Sequence, residues 1–140
     1  MESIFLEKEL SEKLIGCFYD IRNKYGFNHR ENFYQAVLIE LFDLRKIKYL
    51  SHPKINKYSL ETGKLITYYI PDVLVENKII IELKAKPYLT TDDVRQTIEY
   101  LKTTKYEIIY IVNFTEENFK PRRYIFTNDR KIFCNENYIN

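Results

Sequence analysis

The chain has no tryptophan, one methionine, two cysteines, two histidines and three glycines among its 140 residues. Cys17 and Cys134 match neither a CxxC nor a zinc spacing, and one pair is a poor disulfide framework at this length. Disulfide-stapled and zinc-built folds are therefore excluded, and a reducing, cytoplasmic setting is expected. His29 and His52 stand at no metal-binding spacing and read as surface or turn residues. No window approaches transmembrane length, and the opening MESIFLEKEL interleaves acids with apolar residues instead of forming the apolar run of a signal peptide, so no membrane partner is expected. A surplus of one charge is missing too. The 22 basic and 20 acidic residues leave a net +2, so any nucleic-acid footprint has to be local.

The scarcity of glycine beside 13 Tyr and 9 Phe argues for an ordered globular chain away from its ends. A length of 140 residues suits one domain, 1–140, with one core and one site, and a polar tail from about residue 128. Leu10, Leu14, Phe18, Ile21 and Tyr25 recur at helical spacing, which predicts a first helix over residues 2–24, stopped at Tyr25 to Asn28, where Gly26 is a natural C-terminal residue. A second helix is expected from about Arg30 to Lys48, with Tyr34, Val37, Leu38, Leu41 and Leu44 on its apolar stripe. Glu31 and Glu40 project from opposite flanks of that stripe, because nine residues at 100° each do not return to one side.

Strand spacing follows. Residues 55–60 and 65–70 read as a hairpin around Glu61-Thr62-Gly63-Lys64, and residues 72–75 and 79–83 as two further apolar strands. The near-continuous Ile79 to Ile81 run suggests a strand covered on both faces, and so a central one. Thr90 or Thr91 caps a third helix, with Asp92 and Asp93 in its first turn, Val94, Ile98 and Leu101 on its buried stripe, and Asp93, Gln96 and Tyr100 together on another flank. Strands are expected over residues 106–114 and 123–127, and a short one over 131–134. The sum is a mixed α/β domain.

The stretch PDVLVENKIIIELK, residues 71–84, sets Asp72 at the mouth of one strand and Glu82 and Lys84 near the end of the next. Charges amid Val, Leu and Ile are costly unless something pairs with them. Glu82 and Lys84 share a strand face with Ile80. Asp72 joins them only if it lies opposite Glu82, which pairs 73 with 81, 74 with 80 and 75 with 79 and leaves Glu76, Asn77 and Lys78 as a three-residue turn. Asn77 or Lys78 would then take a left-handed backbone. Met by that register, the two carboxylates and the Leu83 carbonyl offer hard oxygen ligands for Mg2+ (or Mn2+), with Lys84 beside them. The competing reading makes Asp72 a strand-starting residue and Glu82 and Lys84 the wet side of an edge strand. The basic residues between Lys120 and Lys131 admit two readings as well, a phosphate-tracking patch and a solvated tail.

The Asp, then Glu-x-Lys, on a hairpin followed by a helix resembles the PD-(D/E)XK nuclease superfamily, and more narrowly the compact family named for its GxxExxY motif. The resemblance runs from about Leu10 to Phe126 through ENFYQAVLIEL, YYIPDVLVENKIIIELKA, RQTIEYLK and YIVNF. It implies a restriction-endonuclease-like core, a mixed central β-sheet flanked by helices with two helices at the N-terminus. It implies Asp72 and Glu82 as ligands of Mg2+ or Mn2+, Lys84 as the catalytic lysine, and Gln96 with Tyr100 as a glutamine-tyrosine pair. Glu31 would be the helix glutamate that completes the site; Glu40 fits the pattern too, and Glu31 is preferred. Asn28 stands where the narrower family has glycine, a type that tolerates left-handed geometry. The implied activity is a metal-dependent nuclease acting on DNA, with RNA an open alternative and a homodimer the expected assembly. The reading from another class is a catalytically silent module of the same fold that binds nucleic acid or a protein.

Overall fold

A computed structural model of the chain describes residues 5–135. Its elements are α1 (Lys8–Tyr25), α2 (Glu31–Leu44), β1 (Tyr49–Ser51), β2 (Ile55–Tyr58), β3 (Leu65–Tyr69), β4 (Val73–Val75), β5 (Ile79–Lys84), α3 (Thr91–Thr103), β6 (Ile108–Asn113) and β7 (Arg122–Ile125). Five strands form the main sheet in the order β1-β4-β5-β6-β7, while β2 and β3 form a small antiparallel sheet of their own. The expected α/β architecture of a mixed sheet between helices is what the chain adopts.

The central strand is β5. It runs antiparallel to β4 and parallel to β6, the parallel step being made through α3. Ile79, Ile80, Ile81 and Leu83 are almost fully buried because both faces of the sheet are covered. On one face Val73, Val75, Ile79, Ile81, Leu83, Tyr110 and Val112 meet Leu14, Phe18 and Ile21 of α1 and Tyr34, Leu38 and Phe42 of α2. On the other, Leu74, Ile80 and Ile109 meet Leu101 of α3 and Ile55 and Tyr69 of the small sheet. At about 1.5–3 kcal/mol for each large apolar side chain fully buried, these layers hold the fold together. The edge-strand alternative for Glu82 and Lys84 is thereby excluded.

Several expectations need correction. The first helix begins at Lys8, after Glu7 in a left-handed conformation; residues 2–4 lie outside the described residues. Its end is Gly26 at φ 75°, while Asn28 does not take positive φ. The second helix stops at Leu44 instead of Lys48, because Lys46 turns left-handed (φ 59°). The Ile47 and Lys46 amides then donate back to the Phe42 and Asp43 carbonyls, a Schellman closure. Leu44 is exposed (73%), and Phe42 is buried in its place beside Tyr34 and Leu38. Residues 49–51, left unassigned between helix and hairpin, are a strand because β4 is there to pair with. Val94 and Ile98 are only half-buried, and Thr97 lies inside with Leu101. Residues 132–134 form a short 3-10 turn, not a strand, and residues 136–140 of the polar tail lie outside the described residues.

Candidate active site

The β4–β5 register is Val73 with Ile81, Leu74 with Ile80 and Val75 with Ile79, so the connecting turn holds Glu76, Asn77 and Lys78. Two of these take the left-handed conformation, Asn77 as expected (φ 56°) and Glu76 (φ 53°) where Lys78 had been the alternative. An odd turn puts Asp72 opposite Glu82 just beyond the last ladder pair. There the side chains take over from the backbone: the Asp72 amide donates to Glu82 Oε1 (3.0 Å), and the Leu83 amide donates to Asp72 Oδ2 (2.7 Å). Within an extended strand a residue's N–H and C=O project to the same side, so the Leu83 carbonyl also points toward Asp72.

Distant elements fix this corner. The Asp72 carbonyl accepts from the His52 amide (3.0 Å) and from Gln35 Nε2 of α2 (2.8 Å). The His52 ring stands 3.8 Å from Asp72 Oδ1. Burial raises the Asp72 pKa, opposed by the Leu83 amide, His52 and Lys84. Burial and then the neighbouring Asp72 charge push Glu82 up to about 7, with the Tyr69 hydroxyl, the Asp72 amide and Lys84 pulling the other way. Lys84 is half-buried and ion-paired with no described residue, yet its charge bears on Asp72, Glu82 and Glu31 together.

Glu31 opens α2 at the same end of the sheet. It is exposed overall, but desolvation near its carboxyl raises its pKa, Lys84 lowers it and Asp72 raises it. Glu40 faces elsewhere, into a groove with Asp20, Lys24 and Arg45. The turn ahead of Glu31 is held by the buried Tyr34, whose hydroxyl donates to the Gly26 carbonyl (2.6 Å) and accepts from the His29 amide (3.4 Å).

On the α3 side, Tyr100 stacks on Tyr69 with ring centroids 3.7 Å apart. Tyr69 is almost fully buried. Among the described residues its hydroxyl has no hydrogen-bond partner of good geometry, but it lies beside Glu82, and burial and that carboxylate raise its pKa. Burial, Glu82 and Glu99 raise the Tyr100 pKa. Gln96, one turn earlier, is exposed and bonded to no described side chain; it lies between Tyr100 and Asp93 on one flank of α3. Asp93 accepts from Lys86 Nζ (2.7 Å) and from the Thr90 amide (2.8 Å), and although burial opposes it, these contacts bring its pKa down to about 2.

The sequence presents His52 only as a surface or turn residue and gives no sign of what Tyr69 and Gln35 contribute here. Their only signal is tertiary, since Gln35 reaches across 37 positions to Asp72. The basic C-terminal run is also not a free track. Arg122 pairs with Glu116 (3.6 Å), Arg123 donates to the Leu6 carbonyl (2.6 Å), and Lys131 is buried with its ammonium on the Thr104 and Tyr106 carbonyls and Asn128.

Among the described residues no three His, Cys, Asp or Glu side chains converge into a ready-made metal cluster. Two adjoining carboxylates without a full counter-charge, plus one backbone carbonyl, nevertheless fit a hard divalent cation, which would offset the burial and the Asp72 repulsion that lift Glu82. This hairpin, sheet and helix arrangement has a known counterpart: the model of the PD-(D/E)XK nuclease superfamily matches residues 8–124, and the chain belongs to that superfamily. Its members are generally phosphodiester-cleaving hydrolases. No curated protein matches the sequence. Among the described residues no helix is long and apolar enough to cross a membrane.

Proposed function

We propose that this protein is a metal-dependent nuclease that hydrolyses phosphodiester bonds in DNA. The observation that carries the reading is the Asp72–Glu82 pair, locked face to face by the three-residue turn with Lys84 on the same strand face. Asp72, Glu82 and the Leu83 carbonyl would hold Mg2+ or Mn2+. Bound there, the ion supplies charge neutralisation for a phosphate oxygen and a lowered pKa for water.

The chain's own groups do the rest. Lys84, a compact charge ion-paired with none of the described residues, orients the attacking water and offsets the charge that builds on phosphorus. Glu31 presents a third carboxylate across Lys84 and accepts a hydrogen bond from that water. Gln96 and Tyr100 line the approach from α3, with Tyr100 held flat against Tyr69. The P–O ester bond breaks as water's hydroxide goes to phosphorus and its proton to the released oxygen.

The finer family reading, GxxExxY, is supported by Glu31 and Tyr34 at the motif spacing and by the hydrogen bonds with which Tyr34 closes the turn. Two free thiols suit a cytoplasmic setting, and a homodimer would let two such sites address a duplex.

The test is cleavage of single-stranded, double-stranded, flapped and branched DNA in Mg2+ or Mn2+. Wild type should cut at least one of these, and Lys84→Ala and Asp72→Asn should both lose it. No cleavage of any substrate, with no metal-induced rise in melting temperature, favours the silent module instead.

A further inference from the structure

The β2–β3 hairpin rises directly out of the carboxylate corner, since Tyr69 is followed by Ile70, Pro71 and Asp72. Alternation divides its residues. Ile55 and Tyr69 pair with each other and turn inward to the core beneath α3. Asn56 and Tyr68 pair on the outer face, flanked by Lys54 and Ile66. None of the described residues covers this face. Ile66 is 64% exposed, Tyr68 51% and Ile70 47%. Lys54 Nζ sits 4.7 Å above the Tyr68 ring, and half of the tyrosine surface is still open.

The chemistry of the face is selective. An aromatic ring and two branched apolar side chains lie beside one lysine, with no carboxylate between Lys54 and Tyr58 or between Lys64 and Ile70. From Lys54 a cleft of about 240 Å³ continues along Ile55, Asn56, Tyr58, Lys105 and Tyr106, again without an acidic residue, and Lys105 lies 5.5 Å over the Tyr58 ring. Lys54 beside the half-open Tyr68 ring, with Lys105 further along the cleft, suits a ligand of alternating phosphates and flat apolar bases. A duplex hides its base faces in the stack, so only an unpaired strand offers them. Ile66 and Ile70 provide no partner for a 2′-hydroxyl, the group by which proteins recognise RNA.

We propose that the outer face of the β2–β3 hairpin is a docking surface for single-stranded DNA, with unpaired bases stacking on Tyr68 between Ile66 and Ile70 and the backbone passing Lys54. Its role as the feed to the cleavage site rests on the nuclease reading above; the docking itself does not. Only Ile70 and Pro71 separate the hairpin from Asp72, so a strand held on its outer face needs to round one strand end to reach the carboxylate pair.

Binding is measured on the full chain in EDTA, where cleavage is silent, by fluorescence anisotropy with labelled oligo-dT, the corresponding oligo-U and a duplex of the same length. Oligo-dT should bind at least about tenfold more tightly than the duplex. Tyr68→Ala should weaken it by about tenfold while Tyr68→Trp retains it. Lys54→Ala should flatten the dependence of log affinity on log salt by about 0.7. Melting temperature is followed for each variant, because an exposed site should leave it unchanged. Equal binding of duplex, tighter binding of oligo-U, or no effect of Tyr68→Ala overturns the proposal. So does a dimer in light scattering that Tyr68→Ala splits, which would assign the face to a second copy. Oligo-dT binding lost in Tyr68→Ala, with no cleavage by wild type in Mn2+, supports the docking surface and overturns the nuclease reading. Cleavage with no dependence on Tyr68 does the reverse.

Discussion

Glu82 shows how position changes a side chain's chemistry. Its ordinary pKa is 4.5; burial and the neighbouring Asp72 bring it to about 7. Between those values the folded, metal-free chain keeps a proton that the unfolded chain has released, so this group's contribution to stability falls as pH rises through the window. A cation at the site competes with the same proton. Calorimetry should show Mn2+ affinity rising from about pH 6 to about pH 8, with proton release at the lower pH that Glu82→Gln abolishes. Tyr69 tunes this titration. Its hydroxyl favours the ionised form of Glu82, so Tyr69→Phe should move the pH dependence of metal binding upward while leaving the ring stack, and hence the melting temperature, nearly unchanged. An unshifted profile would reduce Tyr69 to packing. If Lys84 acts on the attacking water, Lys84→Ala should cost roughly 10²-fold or more in cleavage rate, against little change in stability.

Among the elements, the β4–β5 turn carries the geometry. Strand side chains alternate, so one residue inserted among Glu76, Asn77 and Lys78 turns Asp72 to the opposite face. A one-residue insertion should therefore abolish metal binding and cleavage, whereas a two-residue insertion keeps the parity and should retain a measurable metal-induced rise in melting temperature. Equal behaviour of the two insertions would mean that the turn does not set the site. This parity was readable from residues 72–84 because it needs only the alternation of an extended chain and one assumed pairing. The end of α2 was not readable: lysine is a poor signal for a left-handed cap, and Lys46 takes that role because Ile47 gains a place in the core beside Phe42. β1 escaped for a related reason, since its three residues become a strand only through pairing with β4.

Across the molecule, the site sits where three layers meet at the C-terminal end of β5. α2 brings Glu31 and Gln35 from one face, and α3 and the small sheet bring Tyr100 and Tyr69 from the other. α1 braces the neighbouring strand end, with Arg22 Nε donating to the Phe114 carbonyl (2.9 Å) and its Nη2 to the Glu116 carbonyl (2.8 Å). Arg22→Ala leaves both carbonyls without those donors and should lower stability in urea denaturation by about 2 kcal/mol. Because Arg22 touches none of the carboxylates, metal affinity per folded molecule should hold; a parallel loss of affinity would tie α1 to the site.

The amino-acid order alone was enough for the mixed α/β class, the two leading helices and the central Ile-rich strand, and it reduced the pairing of Asp72 with Glu82 to one condition, a three-residue turn, which the fold then met. All of these follow from periodicity and parity, which are local properties of the chain. Folding had to supply what depends on contact between distant segments. It set Glu31 rather than Glu40 beside Lys84, laid Gln35 and His52 against Asp72, and buried the Tyr69 hydroxyl against Glu82. No spacing rule reports these contacts, because each arises where two surfaces close over the end of one strand.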